Sequence, residues 1–356
     1  MKKIKTIGIV SLSAGILGED FVKHEVELGL KRLEAYGIRV KFSSNALRGT
    51  DYLQKHPEAR AADFCEAFRD PEIDLIMTAI GGDDTYRLLP YLFDNGELAA
   101  AVKGNEKPFL GFSDTTTNHL MLHKLGLPSF YGQAFLTELC ELDKEMLPYS
   151  RQYFEELIET GRISEIHPSP VWYEGRKSFD ASQLGVAPVA HPNTGFELLQ
   201  GSPVFRGKIL GGCICTIFDY FGGGRYADSP ALCKKYGLLP SAEDWQGKIL
   251  LLESSEEKPG PEKYRQGLVY LREAGILDAV SGLLIGKPMD ECCDAQYRAI
   301  LREVVDDPQK PIVCNLSVGH AAPRCILPFG VEAEVDAQKQ RIRFFYEQYD
   351  QGDVAR

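Results

Sequence analysis

With 356 residues the chain can bury a large core, as one domain or as two. A net charge of −11 leaves no basic surplus to release counterions from a phosphate backbone, which excludes nucleic acid as the main partner. No apolar run approaches membrane-spanning length, and Met1-Lys-Lys-Ile-Lys-Thr6 opens straight into a strand-like stretch, so the expectation is a cytoplasmic protein with no membrane partner. Of nine cysteines, only Cys213-x-Cys215 and Cys292-Cys293 form close pairs, and neither has metal-finger spacing. They read as reduced, mostly buried thiols.

In chain order, residues 6–12 read as an apolar strand and 20–36 as a helix with Val22, Val26, Leu30 and Leu33 on one stripe, stopped by Gly37. A strand at 38–43, a helix at 59–69 and a continuous apolar strand at 74–80 follow. Gly81-Gly-Asp-Asp-Thr85 turns the chain into another helix. Strand and helix alternate, which implies a parallel sheet covered on both faces. A helix over 145–160 closes this part, and 166–193, rich in Pro, Gly and Ser, reads as a connection or a loop folding over the site. Beyond it, strands at 204–210, 247–253, 280–285 and 311–314 enclose helices at 260–274 and 295–305, and 331–345 alternates as a hairpin turning at Asp336-Ala-Gln. The expected division is a 1–165 N-terminal domain, a 166–195 connecting loop and a 196–356 mixed α/β C-terminal domain.

The stretch Lys107-Pro-Phe-Leu-Gly-Phe-Ser113-Asp-Thr-Thr-Thr-Asn-His119 reads as a short buried strand, a sharp turn at Ser113 and a helix opening at Asp114. Gly111 leaves room for a tight approach, and Asp114 to Thr117 suit a helix's first turn. A serine on such a corner exposes its hydroxyl, with the next backbone N–H aimed where an oxyanion would form. Gly111-Phe-Ser-Asp-Thr115 lacks the second glycine of Gly-x-Ser-x-Gly, and a serine capping a helix reads the same way. Parallel sheets carry their chemistry beyond the C-terminal strand ends, where both Ser113 and Gly81-Gly82 fall. Glu253 ends the apolar strand Ile249-Leu-Leu-Leu-Glu253, and His320 lies in a loop between Gly319 and Pro323. A carboxylate at a strand tip can orient a histidine; a solvated strand end and an exposed loop histidine are the ordinary alternatives. His119-x-x-x-His123 has the spacing of a metal pair but lacks the glutamate of the zinc-protease pattern, and reads as helix packing.

Ile80-Gly-Gly-Asp-Asp-Thr-Tyr-Arg-Leu-Leu-Pro90, Gly111-Phe-Ser-Asp-Thr115, Leu252-Glu-Ser-Ser-Glu-Glu257 and Gly319-His-Ala-Ala-Pro323, taken in that order, resemble the LD-carboxypeptidase and microcin C self-immunity family of serine peptidases. The resemblance implies a flavodoxin-like N-terminal domain joined to a smaller, swivelling α/β C-terminal domain. It also implies a triad of Ser113 as nucleophile, His320 as base and Glu253 as its orienter, with an oxyanion hole from the backbone N–H groups of Gly82 and Asp114. No metal or cofactor is implied, and the family state is a homodimer. One branch trims the LD-amide bond of murein peptides; the other hydrolyses the amide joining an acyl-amino acid to a modified nucleotide, as in microcin C.

The 80–91 and 252–258 runs look more like the immunity branch, and Trp172-Tyr173 could stack on a nucleobase or simply pack the loop. Gly81, Asp83, Trp172 and Tyr173 are therefore the candidate substrate contacts. Two rival classes stand beside the peptidase. Gly81-Gly-Asp-Asp-Thr85 also resembles the Gly-Gly-Asp-Gly-Thr phosphate loop of NAD and lipid kinases, although Asp84 would repel a phosphate there. A non-catalytic binding protein on the same fold is the other.

Overall fold

A computed structural model describes residues 3–346. Strands β1 (Thr6–Val10), β2 (Arg39–Phe42), β3 (Leu75–Thr78), β4 (Phe109–Gly111) and β5 (Ser129–Tyr131) form a parallel sheet in the spatial order β5-β4-β3-β1-β2. All residues of β1, β3, β4 and β5 are buried, because helices such as Lys23–Ala35 and Pro57–Arg69 cover the faces. Pro57 and Pro148 each open their helix, where a missing N–H costs nothing. The helix expected to start at 145 therefore begins at Pro148. Strand order reverses between β1 and β3, and the loops leaving those strands, through Ser13 to Gly15 and Gly82 to Asp84, line a cleft of about 310 Å³. This is where open parallel sheets bind ligands.

The chain then passes through β6 (Glu165–Ile166), β7 (Val171–Tyr173), β8 (Ala190–Pro192), β9 (Glu197–Gln200), β10 (Val204–Cys213), β11 (Ile249–Glu253), β12 (Gly282–Gly286), β13 (Ile312–Leu316), β14 (Leu327–Phe329), β15 (Glu332–Asp336) and β16 (Arg341–Phe345). A second sheet takes the order β6-β16-β15-β10-β11-β12-β13-β9, with β10 to β13 parallel and its flanks antiparallel. Its central strand β11 is buried at every residue, Glu253 included.

Three features differ from the sequence reading. The 166–193 stretch is not irregular, since Val171–Tyr173 pairs antiparallel with Ala190–Pro192. Strands of three residues are too short for alternation to register. The strand expected at 204–210 runs on to Cys213 through Gly211-Gly212. Gly212 is needed there because a Cβ would lie 2.3 Å from Thr116 Oγ1. Finally, β14 leaves the second half of the chain to pair with β5, Leu327 facing Tyr131. Pairing thus crosses the expected division, and β6 crosses it in the other direction by joining β16. No helix among the described residues is long and apolar enough to cross a membrane.

Beneath the cleft, Arg60 is fully buried with Nη1 2.5 Å and Nη2 3.0 Å from the Asp84 carboxylate. Asp84 is therefore neutralised from below, and its side chain is held by the core. Breaking such a pair strands a buried charge. Asp84→Asn should lower unfolding free energy by about 3–5 kcal/mol, read as a drop in denaturant midpoint at unchanged slope. A midpoint within error of the parent's would show that Arg60 finds other partners.

Candidate active site

Ser113 follows β4 and is the residue at which the strand turns into a helix, Thr116–Lys124. Its φ of +67° is a strained, left-handed value for a residue with a Cβ, and it lifts the hydroxyl off the sheet. The turn is pinned twice. The Ser113 carbonyl accepts from Thr116 Oγ1 at 2.6 Å, and the same hydroxyl accepts from the Cys213 backbone N–H at 2.9 Å, tying the turn to β10. The buried Asp114 carboxylate accepts from Thr85 N–H (2.9 Å), Thr85 Oγ1 (2.6 Å) and Ser13 Oγ (2.7 Å), which fixes the Gly81-Gly82 loop against it. Burial raises the pKa of Asp114 and these donors work against the rise. Gly81 packs so closely that a Cβ there would sit 2.8 Å from Ser113 Oγ and 3.3 Å from Asp114 N.

Ser113 Oγ lies 3.0 Å from His320 Nε2, and His320 Nδ1 lies 2.7 Å from Glu253 Oε2. The three come from residues separated by up to 207 positions in the chain. Glu253 is 1% exposed and fully provided with donors: His320 Nδ1–H, the His320 backbone N–H at 3.3 Å and the Tyr131 hydroxyl at 2.6 Å. Tyr131 in turn accepts from the Ser113 backbone N–H at 3.2 Å. Gly319, at φ +89°, is required beside the carboxylate, since a Cβ would lie 2.4 Å from Glu253 Oε2. The imidazole packs edge-on against Phe112 at 5.1 Å, and its carbonyl accepts from Arg324 Nη2 at 2.8 Å.

A second carboxylate reaches the ring: Glu256 Oε2 is 3.0 Å from Nε2. Burial by itself would lower the His320 pKa, but Glu253 and then Glu256 more than reverse it, raising it to about 10. The Cys213 thiol lies within 4.8 Å of the Glu253 and His320 donor atoms, the spacing of a metal site. Glu253 and the imidazole already bond each other, and the hydrogen bond that the Cys213 thiol donates to Cys215, together with burial, keeps that thiol protonated. These three are therefore committed as hydrogen-bonding groups.

The family profile for the LD-carboxypeptidase N-terminal domain matches residues 7–132, and that for the LD-carboxypeptidase C-terminal domain matches residues 206–335. The chain belongs to the LD-carboxypeptidase family. It is a serine-type carboxypeptidase or amidase, and its two-domain α/β architecture is that of the family. It is 60% identical to a crystallised microcin-immunity-like protein of Streptococcus pneumoniae in complex with AMP, covering 96% of this chain and 99% of that one at a TM-score of 0.94. The microcin C7 self-immunity protein of Escherichia coli is 27% identical over 95% of this chain and 92% of its own. The murein tetrapeptide carboxypeptidase of Pseudomonas aeruginosa is 33% identical over 42% of this chain and 48% of its own.

Within this family member, Ser113, Glu253 and His320 come together, Gly81 and Asp114 adjoin the serine, and Gly82 packs against Ser13 and Ala14. Asp83 is exposed at the cleft and accepts from Tyr226 at 3.2 Å. Trp172 lies on the β7–β8 hairpin, stacked on His191 at 4.4 Å with Lys287 Nζ 5.1 Å from its ring centre. Tyr173 joins the histidine loop through its backbone N–H, 2.9 Å from the Ala322 carbonyl. His119 is not poised for metal with His123. Both its ring nitrogens are engaged, by Ser129 Oγ and the Gly111 carbonyl, and burial drives its pKa to about 3. Sequence reasoning missed Tyr131, Cys213 and Thr116, which act across the sheet seam, and the role of the Asp114 side chain, whose partners Ser13 and Thr85 lie far off in sequence on other loops of the first sheet. Glu256 was inside a quoted motif, three residues from Glu253, and that spacing was the available signal.

The raised His320 pKa has a measurable sign. In the substrate-free enzyme the ring should stay an imidazolium through neutral pH and lose its proton only toward pH 10. By linkage, this stabilises the fold fully below the ordinary value of 6.5 and is lost as pH rises through about 10. Ring ¹⁵N shifts report the state directly. A His320 signal already neutral at pH 7 would contradict the arrangement.

Proposed function

We propose that the enzyme hydrolyses the amide-type bond joining an aminoacyl or short peptidyl group to a nucleotide-like leaving group, a detoxifying reaction of the microcin-immunity kind. What carries this reading is the AMP held by the pneumococcal relative at 60% identity, together with the Ser113–His320–Glu253 contacts. Ser113 Oγ attacks the carbonyl carbon while His320 Nε2 takes its proton. Glu253 holds Nδ1–H and so keeps Nε2 facing the serine and stabilises the imidazolium. The oxyanion is received by the N–H groups of Gly82 and Asp114. Collapse breaks the bond to the leaving nitrogen, which receives the proton from Nε2. Water, deprotonated by the same nitrogen, then releases the acyl group from Ser113. Trp172 and Tyr173 serve the leaving group, Trp172 by offering its ring to the base. The Arg60 contact to Asp84 removes the phosphate-repelling charge invoked against a kinase, but a kinase reading leaves the serine, histidine and glutamate contacts without purpose.

A second reading, murein tetrapeptide LD-carboxypeptidase, is favoured by the Pseudomonas aeruginosa match. Side-by-side incubation with aspartyl sulfamoyl adenosine and murein tetrapeptide separates the two. Cleavage of the tetrapeptide alone would overturn the nucleotide reading.

Ser113→Ala should cut turnover on the order of 10⁴-fold or more with the fold intact. Near-normal turnover, or continued labelling by a fluorophosphonate, would end the serine mechanism. Trp172→Ala should weaken turnover of the nucleotide substrate by about ten- to hundredfold, the value of one stacked base, and leave a small acyl-peptide nearly unaffected. Equal losses on both substrates would mean that Trp172 only holds the hairpin together.

A further inference from the structure

Two thiols have no task in the mechanism above. Seven of the nine cysteines are buried, whereas Cys292 and Cys293 are half-exposed, and their Sγ atoms lie 3.6 Å apart. They end the segment Lys287 to Cys293, between β12 and the helix Asp294–Val305. Asp290, Glu291 and Cys293 adopt left-handed φ values of +55°, +53° and +60°, which residues with a Cβ rarely do. The same segment ties two exposed parts of the molecule together. Asp290 accepts from the Gly175 N–H of the β7–β8 hairpin at 2.7 Å and from Lys258 Nζ, on the loop after β11, at 2.6 Å. Met289 packs so closely on the hairpin that a Cβ at Gly175 would sit 2.1 Å from its Cε. Lys287 donates to Glu291 at 2.6 Å and lies 5.1 Å from the Trp172 ring centre.

We propose that Cys292 and Cys293 form a reversible oxidation site for a hydroperoxide, and that closing their disulfide undoes the Asp290 clasp and slackens the hairpin that carries Trp172. The kinetic half of this rests on the nucleotide reading, in which Trp172 serves the base; the chemical half does not. The Cys292 thiolate attacks one peroxide oxygen, the O–O bond breaks, and Cys292 becomes a sulfenic acid. The departing oxygen takes up a proton and leaves as an alcohol, or as water from hydrogen peroxide. Cys293 then gives up its proton, attacks the Cys292 sulfur and expels the hydroxyl as water. The two thiols lose two electrons and two protons, and the hydroperoxide gains them.

The surroundings assign the two roles. The hydrogen bond between the sulfurs raises the Cys293 pKa, so Cys293 keeps its proton and Cys292 is the sulfur that attacks. The Lys258 ammonium responds to charge on Cys292, and a cation at that place favours a thiolate. Closing the bridge then moves backbone. Adjacent Cα atoms are about 3.8 Å apart, below the roughly 4.4–6.8 Å that a disulfide spans, and the sulfurs must come in from 3.6 Å to about 2.0 Å. Left-handed residues at 290, 291 and 293 leave the segment little slack, so the change is passed to Asp290. A bridge closed under such strain belongs to the labile, reducible class.

The test treats the native enzyme, Cys292→Ser and Cys293→Ser with hydrogen peroxide and then with dithiothreitol. Peptide mapping of the native enzyme should find the segment holding Cys292 and Cys293 lighter by two hydrogens, and the reductant should restore them. Trp172 and Trp245 are the two tryptophans and Trp245 is 1% exposed, so a soluble quencher of tryptophan fluorescence reports on the hairpin. Acrylamide quenching should rise on oxidation. Turnover of aspartyl sulfamoyl adenosine should fall about ten- to hundredfold, the worth of one stacked base. Dithiothreitol should reverse both changes, and the serine variants should start at native turnover and show neither. Sulfinic acid without a bridge, or the same loss of turnover in both variants, would overturn the oxidation site. A bridge at Cys292 and Cys293 that leaves quenching unmoved would overturn the clasp. If the native enzyme does not cleave the nucleotide compound, that reading falls by itself, while mapping and quenching still decide this one.

Discussion

The Glu253 carboxylate sits at the tip of a strand buried on every side, where a charge is tolerated only if donors surround it. The donors arrive from two other places in the chain: Tyr131 from the first sheet, and the ring and backbone nitrogens of His320 from the loop beyond β13. Satisfying this one group therefore docks the two sheets. The Tyr131 ring, stacked on Phe329 at 5.2 Å, is itself placed by the return of β14 to β5. Because Tyr131 also accepts from the Ser113 N–H, the carboxylate and the serine turn share a hydrogen-bonded support. A chain of this kind is more rigid than its separate links.

Against this buried seam the structure sets a more exposed element. The β7–β8 hairpin carries many half-exposed residues, and its contacts with the body include the Tyr173 N–H on Ala322, the Gly175 N–H on Asp290 at 2.7 Å, the Gly185 N–H on Leu142 at 2.7 Å, His24 on the Phe179 carbonyl at 2.9 Å, and Arg176 on Glu141. Asp290 is paired at the same time with Lys258 at 2.6 Å, on the loop that carries Glu256. Hairpin and glutamate loop thus share one clasp, so a ligand that orders one has a physical route to the other. The division is a natural one for a hydrolase. Acid–base geometry has to be held within fractions of an ångström, while leaving-group recognition has to admit and release.

The strain at Ser113 has the same origin. A left-handed serine costs of order 1–3 kcal/mol, and the cost is offset by contacts on both sides of the turn. Thr116 fastens it to β10 and Asp114 fastens it to the Gly81-Gly82 loop. Neither contact could be replaced by a longer reach, since Gly212 and Gly81 bring backbone against side chain with no room for a Cβ.

Most of what is local in this molecule was legible in the sequence. Continuous apolar runs such as Ile249 to Leu252 identify strands buried on both faces, and the small, sharp Gly111-Phe-Ser-Asp-Thr115 identifies a strand-to-helix turn, because burial period and backbone freedom are properties of neighbouring residues. The motif order was enough to single out Ser113, Glu253 and His320 as candidates. What the sequence could not determine is everything that depends on separation along the chain vanishing in space. Nothing local says that Leu327 pairs with Tyr131, that Tyr131 supports Glu253, or that Trp172 meets His191 rather than open solvent. Nor does spacing alone distinguish Glu253, buried and saturated with donors, from Glu256 three residues on, exposed and facing the reactive nitrogen. Both are glutamates after an apolar strand; only the packing of one sheet against the other gives them opposite surroundings, and surroundings decide what a carboxylate does.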